Sequence, residues 1–122
     1  MKISLLVQGA PYSTDACIHS LRFAQATLAQ NHQIQTVFFY KDAVSIINPS
    51  FKVPKDELNI QDEWKQFALE HRVELNVCVG ASHRRGVNQD SDGIQDVEPF
   101  VVIGLGVFIE QMSLSDRIVV FL

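Results

Sequence analysis

"MKISLLVQGAPYSTDACIHSLRFAQATLAQNHQIQTVFFY", residues 1–40, decides the fold class. Ile3 to Gln8 is an apolar run of strand length, closed by the turn signal Gly9-Ala10-Pro11. Ser13, Thr14 and Asp15 follow, and their side-chain oxygens can accept the unpaired amide hydrogens of a first helical turn. Cys17, Leu21, Ala24 and Leu28 then recur at helical steps, which sets them on one face of a helix. Asn31-His32 ends that helix. Ile34 to Tyr40, rich in β-branched and aromatic residues, reads as a second strand. Strand, helix and strand in this order make two parallel strands joined by a right-handed crossover.

The alternation continues along the chain. Lys41 to Glu57 holds Asn48-Pro49 and Val53-Pro54. Proline lacks an amide donor and fixes its own backbone angle, so this stretch reads as a long irregular connection, neither helix nor central strand. Connections of that length tend to carry function or contact a partner. Ile60, Trp64, Phe67 and Ala68 predict a second amphipathic helix, and Val73 to Val79 a third strand. Gly86 to Glu98 is polar and reads as a surface loop; it lacks the D-x-D-x-D-G order and closing glutamate of a calcium site. Pro99 opens the last segment, with a short strand at Phe100 to Ile103. Leu105, Phe108, Ile109 and Met112 have helical spacing, and Ile118 to Leu122 reads as a final strand. The expected architecture is a single domain over residues 1–122, a three-layer α/β/α fold. Its sheet is mainly parallel, of four or five strands, and flavodoxin-like.

Bulk properties narrow the function. A chain of 122 residues buries roughly two-thirds of its unfolded surface as one domain. Ten basic and fourteen acidic residues leave a net charge of −4, the wrong sign for a stable grip on a phosphate backbone. Direct nucleic-acid binding is therefore not expected. The opening apolar stretch breaks at Gln8-Gly9, too soon for a signal peptide, and nothing approaches the ~18 apolar residues that span a membrane. Cys17 and Cys78, the two cysteines, form neither a disulfide framework nor a zinc-ligand pattern. A reduced, cytoplasmic protein without membrane contact is the expectation.

In open parallel sheets, reactive groups gather where strands end and helices begin. Three such junctions are read here: Gln8 to Asp15, Phe39 to Ala43, and Val77 to Gly86. The third lies in "LNVCVGASHRRGV", residues 75–87. Cys78 stands near the end of a strand, and Gly80-Ala81-Ser82 begins the turn into a helix. Amides at a helix start favour an anion, and His83, Arg84 and Arg85 add positive charge nearby. Both effects favour thiolate over thiol; a pKa near ~7 would leave the group about half ionised. The same cradle would suit a persulfide anion, provided that solvent and a docking protein can reach the sulfur. The alternative is that Cys78 is a small buried hydrophobe, as free cysteines often are. Cys17 lies on the apolar helix face and reads as packing; His19, His32 and His71 read as surface residues. Gly104-Leu105-Gly106 is not a dinucleotide fingerprint, and no phosphate-binding P-loop exists. Tyr12-Ser13-Thr14 admits a second function class, a non-catalytic module holding a nucleotide or small anion near Ser13 and Thr14, unless those hydroxyls only cap the helix.

The chain resembles the TusD/DsrE family of sulfurtransferase subunits nearly end to end. The resemblance runs through "QGAPYSTDACIHSLRFAQA", "VFFYKDAV", "LNVCVGASHRRGV" and "GLGVFIEQMSLSDRIVVF", and its specific part is the cysteine followed by Arg84-Arg85-Gly86. It implies a cytoplasmic sulfur relay in which Cys78 accepts a persulfide sulfur and passes it to a small TusE/DsrC-like carrier. In TusD-type members the relay ends in 2-thiolation of the wobble uridine of certain tRNAs; in DsrE-type members it serves sulfur oxidation. It further implies a heterohexamer with sister subunits (TusB/TusC-like or DsrF/DsrH-like), only this subunit carrying the working cysteine, and no cofactor or metal. Arg84 and Arg85 would give electrostatic support. His83 departs from the apolar residue expected at its position and would either tune Cys78 or face water. The connection from Lys41 to Glu57 is the expected contact surface for the sister subunits.

Overall fold

The computed structural model describes residues 1–87 and 98–122. Five strands form one parallel sheet: β1 Lys2–Val7, β2 Gln33–Phe39, β3 Leu75–Cys78, β4 Phe100–Ile103 and β5 Arg117–Phe121. Their spatial order is β4-β3-β2-β1-β5, so β3 is flanked on both sides and β4 and β5 are the edges. Helices α1 Ala16–Ala29, α2 Ile60–His71, α3 Val79–Arg84 and α4 Leu105–Met112 alternate with the strands. This is the α/β architecture that the residue pattern predicts.

The two faces of the sheet are covered differently. Phe38 and Phe39 are consecutive in β2 and so point to opposite sides. The Phe39 ring packs edge-on against Trp64 of α2, while the Phe38 ring stacks on Phe108 of α4 at 4.2 Å. On the side of α1 and α2 the buried set is apolar: Leu5, Val7, Val37, Phe39, Leu75 and Val77 meet Leu21, Ala24, Trp64 and Phe67. On the side of α4 the sheet carries a line of buried polar residues, Ser4, Thr36 and Asn76, on three neighbouring strands. Asn76 Nδ2 donates to Thr36 Oγ1 at 2.7 Å and to Gln111 Oε1 of α4 at 3.1 Å, and the Ser4 hydroxyl bonds that of Ser115. These bonds satisfy the Asn76 amide nitrogen and the hydroxyls, and the one to Gln111 fastens α4 to the sheet; the buried Asn76 Oδ1 has no hydrogen-bond partner among the described residues.

The helix α4 covers only part of its face. Of its residues only Phe108 is buried, and Leu105, Val107 and Ile109 stand open together with Ile118 and Val120 of β5. A helix apolar all round is normally covered on every side. No helix among the described residues is long and apolar enough to cross a membrane.

Two local readings change. The stretch Lys41–Ile47, expected to be irregular, is a 3-10 helix with Ala43, Val44, Ile46 and Ile47 buried. Ala43 and Ile46, and Val44 and Ile47, are three apart, the period of that helix; the two prolines shape only the chain beyond Asn48. The expected contact surface is accordingly reduced, since the apolar side chains of its first half lie in the core. At the start of α1, Asp15 makes no side-chain cap; Thr14 Oγ1 accepts the Ala16 amide instead, at 3.2 Å. Most of the polar stretch Gly86 to Glu98 lies outside the described residues.

Candidate functional site

Cys78 ends β3 and at the same time caps α3. Its backbone is extended, and its Sγ accepts the Ala81 amide hydrogen at 3.5 Å. The next turn is locked by Ser82 Oγ donating to the Cys78 carbonyl at 2.8 Å. Cys78 is only 4% exposed. Of the two alternatives for Cys78, an open thiol and a small buried side chain, the isolated chain has the buried one.

The basic residues after Cys78 are not equivalent. Arg84 is exposed, and its guanidinium folds back over the first turn of α3; a Cβ on Gly80 would stand 3.3 Å from Arg84 Nη1. Glycine at position 80 leaves room for that cation near the capped end. Arg85 turns the other way. Its Nε donates to Asp42 Oδ1 at 2.7 Å and its Nη1 to the Ala81 carbonyl at 3.2 Å, so its charge is matched by a carboxylate. His83 is exposed in the last turn of α3, and its side chain makes no hydrogen bond or ion pair among the described residues.

Asp42 is the residue that sequence reading passed over. It opens the 3-10 helix at the carboxyl end of β2, and Lys41 before it has a φ of 51°, a left-handed turn uncommon for a lysine. Its acidic character gave no signal by itself; only the adjacency of β2 and β3 brings it to Arg85.

The other candidates separate cleanly. Cys17 is fully buried, and its Sγ donates to the Gly9 carbonyl at 3.5 Å. Burial pushes its thiol up from 9.0 to about 12, so it remains protonated and unreactive at neutral pH. His19 and His71 are exposed, the His71 ring lying against Phe67, and His32 Nδ1 is within 3.0 Å of the terminal amine. At the anion-binding alternative, Thr14 Oγ1 is used inside its own loop, donating to the Ala10 carbonyl and accepting from Ala16. Tyr12 Oη accepts the Ile60 amide and donates to the Leu58 carbonyl, which ties this loop to the start of α2. Ser13 is exposed. Among the described residues no group of three or more His, Cys, Asp or Glu side chains converges as a metal site would.

Comparison with known proteins bears on the family and the fold. The sequence model of the DsrE/DsrF-like family matches residues 1–121. A protein of Serratia proteamaculans named sulfurtransferase TusD is 38% identical, with 96% of each chain covered. Proteins of the same name from Pectobacterium atrosepticum and Pectobacterium carotovorum are each 36% identical over the same share. The crystal structure of the ychN protein from E. coli superposes with a TM-score of 0.82 at 23% identity, covering 99% of both chains, and shares the fold. On this sequence coverage and this fold, the chain belongs to the DsrE/DsrF-like family and is a sulfurtransferase.

Proposed function

We propose that this sulfurtransferase carries its sulfur on Cys78, receiving it from a donor persulfide and passing it to the thiol of a small TusE/DsrC-like carrier protein. The observation that carries the reading is the place of Cys78: at the carboxyl edge of the sheet, capping a helix, with an amide hydrogen directed at its sulfur. In the first step the Cys78 thiolate attacks the outer sulfur of the donor R–S–SH. A new S–S bond forms, the old one breaks, and the donor leaves as thiolate. In the second step the carrier thiolate attacks the outer sulfur on Cys78, which leaves as thiolate in turn. Each step is an exchange at sulfur with no net oxidation, so it calls on no cofactor or metal. The outer sulfur of the loaded form stands about 2 Å beyond Sγ. Arg84, folded over the same turn, supports the anionic sulfur; Arg85 acts less directly because Asp42 shares its charge.

Relatives named TusD favour a relay that ends in 2-thiolation of the tRNA wobble uridine, in the cytoplasm, over one that serves sulfur oxidation. The net charge of −4 favours a relay that reaches tRNA through other proteins. Sister subunits of TusB/TusC type in a heterohexamer would cover the open apolar side chains of α4 and β5.

The test is sulfur loading from a small persulfide donor, read by intact mass. The wild-type chain gains the mass of one sulfur atom and delivers it to an added carrier thiol. Cys78→Ser keeps a good helix cap, so it folds, yet gains nothing. An adduct retained in that variant would move the sulfur elsewhere and overturn the proposal. Purification from native cells with the carrier and sister subunits bound, or without them, decides the partners.

A further inference from the structure

A cysteine that exchanges sulfur with another protein has to be uncovered, yet Cys78 is 4% exposed. What holds the cover is visible. The sulfur lies against the first turn of α3, a helix of six residues. One turn and a half of helix has little stability of its own and depends on tertiary fastening. Ala81 and Ser82 anchor its inner face in the core, and its exposed side is fastened by Arg85. Its Nη1 grips the carbonyl of Ala81, the residue whose amide faces Sγ, and its Nε is held by Asp42 from the neighbouring strand's end. The peptide units on both sides of Ala81 are thus engaged, one by the sulfur and one by the latch. The chain turns through a left-handed lysine to bring Asp42 there.

We propose that the Asp42–Arg85 ion pair is a latch on α3 that controls access to Cys78. The inference rests on the reading of Cys78 as the sulfur carrier for its purpose, but its geometry is independent of that reading. The pair is suited to opening. Its side chains are 32% and 69% exposed, so it is worth only a few-fold in the closed-to-open ratio and yields to competition. A docking protein that presents a carboxylate to Arg85 competes with Asp42 for the guanidinium, and α3 lifts where the sulfur is needed. When no such partner is bound, the latch closes and shields the sulfur from solvent.

The experiment is the rate of iodoacetamide labelling at each cysteine, read by peptide mapping in Asp42→Ala, Arg85→Ala and the double variant. Cys17 serves as the internal gauge of global unfolding. Labelling of Cys78 rises roughly two- to fivefold in each single variant, and the double variant is no faster than the faster single, because one pair is being broken. Cys17 stays protected throughout. Raising the salt concentration speeds Cys78 labelling in the wild type and has little effect in Asp42→Ala. Single variants that label at or below the wild-type rate, or effects that add in the double variant, overturn the latch. So does Cys17 becoming reactive in step with Cys78, which would mean that the whole fold opens. Sulfur loading is not read in this assay, so a latch without sulfur transfer, or the converse, is recognised as such.

Discussion

The two cysteines occupy junctions of the same kind with opposite consequences. Each follows a strand's carboxyl end and each sits at the start of a helix. Cys17 is the second residue of α1 and gives its proton to a carbonyl, that of Gly9; Cys78 caps α3 and takes an amide hydrogen. One sulfur is a hydrogen-bond donor, the other an acceptor. Around Cys17 the packing is closed on all sides, and the Trp64 indole and the Ser20 hydroxyl both donate to its own carbonyl. Cys78 instead caps a helix of six residues whose far end carries an exposed ion pair. The two sites differ in hydrogen-bond direction and surroundings, although both stand at a helix start.

The largest effect expected from that contrast is chemical. With a pKa of about 12, Cys17 is ionised to roughly one part in ten thousand at pH 8. Iodoacetamide at that pH should therefore label the folded chain at Cys78 only and label both sites in guanidinium; modification of Cys17 in the folded chain would break the comparison.

Next comes the backbone behind Cys17. A Cβ at Gly9 would meet the Thr14 hydroxyl and would stand 2.8 Å from the Leu122 carbonyl and 2.9 Å from Ala16 Cβ. Gly9→Ala is expected to cost about 2–3 kcal/mol of stability in urea melts, since two of these neighbours cannot swing away. A loss under half a kcal/mol would show that the junction is looser than its contacts.

The smallest effect concerns Cys17 itself. Cys17→Ser exchanges a polarisable thiol for a hydroxyl with one acceptor at hand, an expected loss of about 1 kcal/mol, with sulfur loading intact. Its pH signature is sharper. Because the folded thiol titrates near 12 and the unfolded one near 9.0, the folded chain holds the extra proton between those values. The stability that Cys17 contributes is whole below about pH 9 and is lost as pH rises towards 12. That decline should be shallower in Cys17→Ser than in the wild type, and equal slopes would remove the argument.

Much of this was legible beforehand, for reasons that can be named. Periodicity found α1 through Cys17, Leu21 and Ala24, and α2 through Trp64 and Phe67, because a helix that buries one face repeats its apolar residues regularly. The junction after β3 was readable from a single cysteine, a glycine and two arginines in a row. Two things escaped. The 3-10 helix has a period of three over only seven residues, and the prolines beyond it drew the reading towards loop. The pairing of Asp42 with Arg85 spans 43 residues, and nothing local in either neighbourhood announces it. The burial of Cys78 was one of two alternatives that the sequence left open, since a cover made by tertiary contact leaves no trace in spacing.

Strand order also governs how the chain is made. The strand that opens the sequence pairs on one side with β2, within reach early, and on the other with β5, where Ile3 meets Arg117. During synthesis β1 presents one bare hydrogen-bonding edge until residue 117 has left the ribosome. An unpaired edge invites another chain to add itself. The growing polypeptide is thus most prone to aggregate in the interval between emergence of its first crossover and arrival of its last strand, and slowing translation across that interval should lower the yield of folded protein.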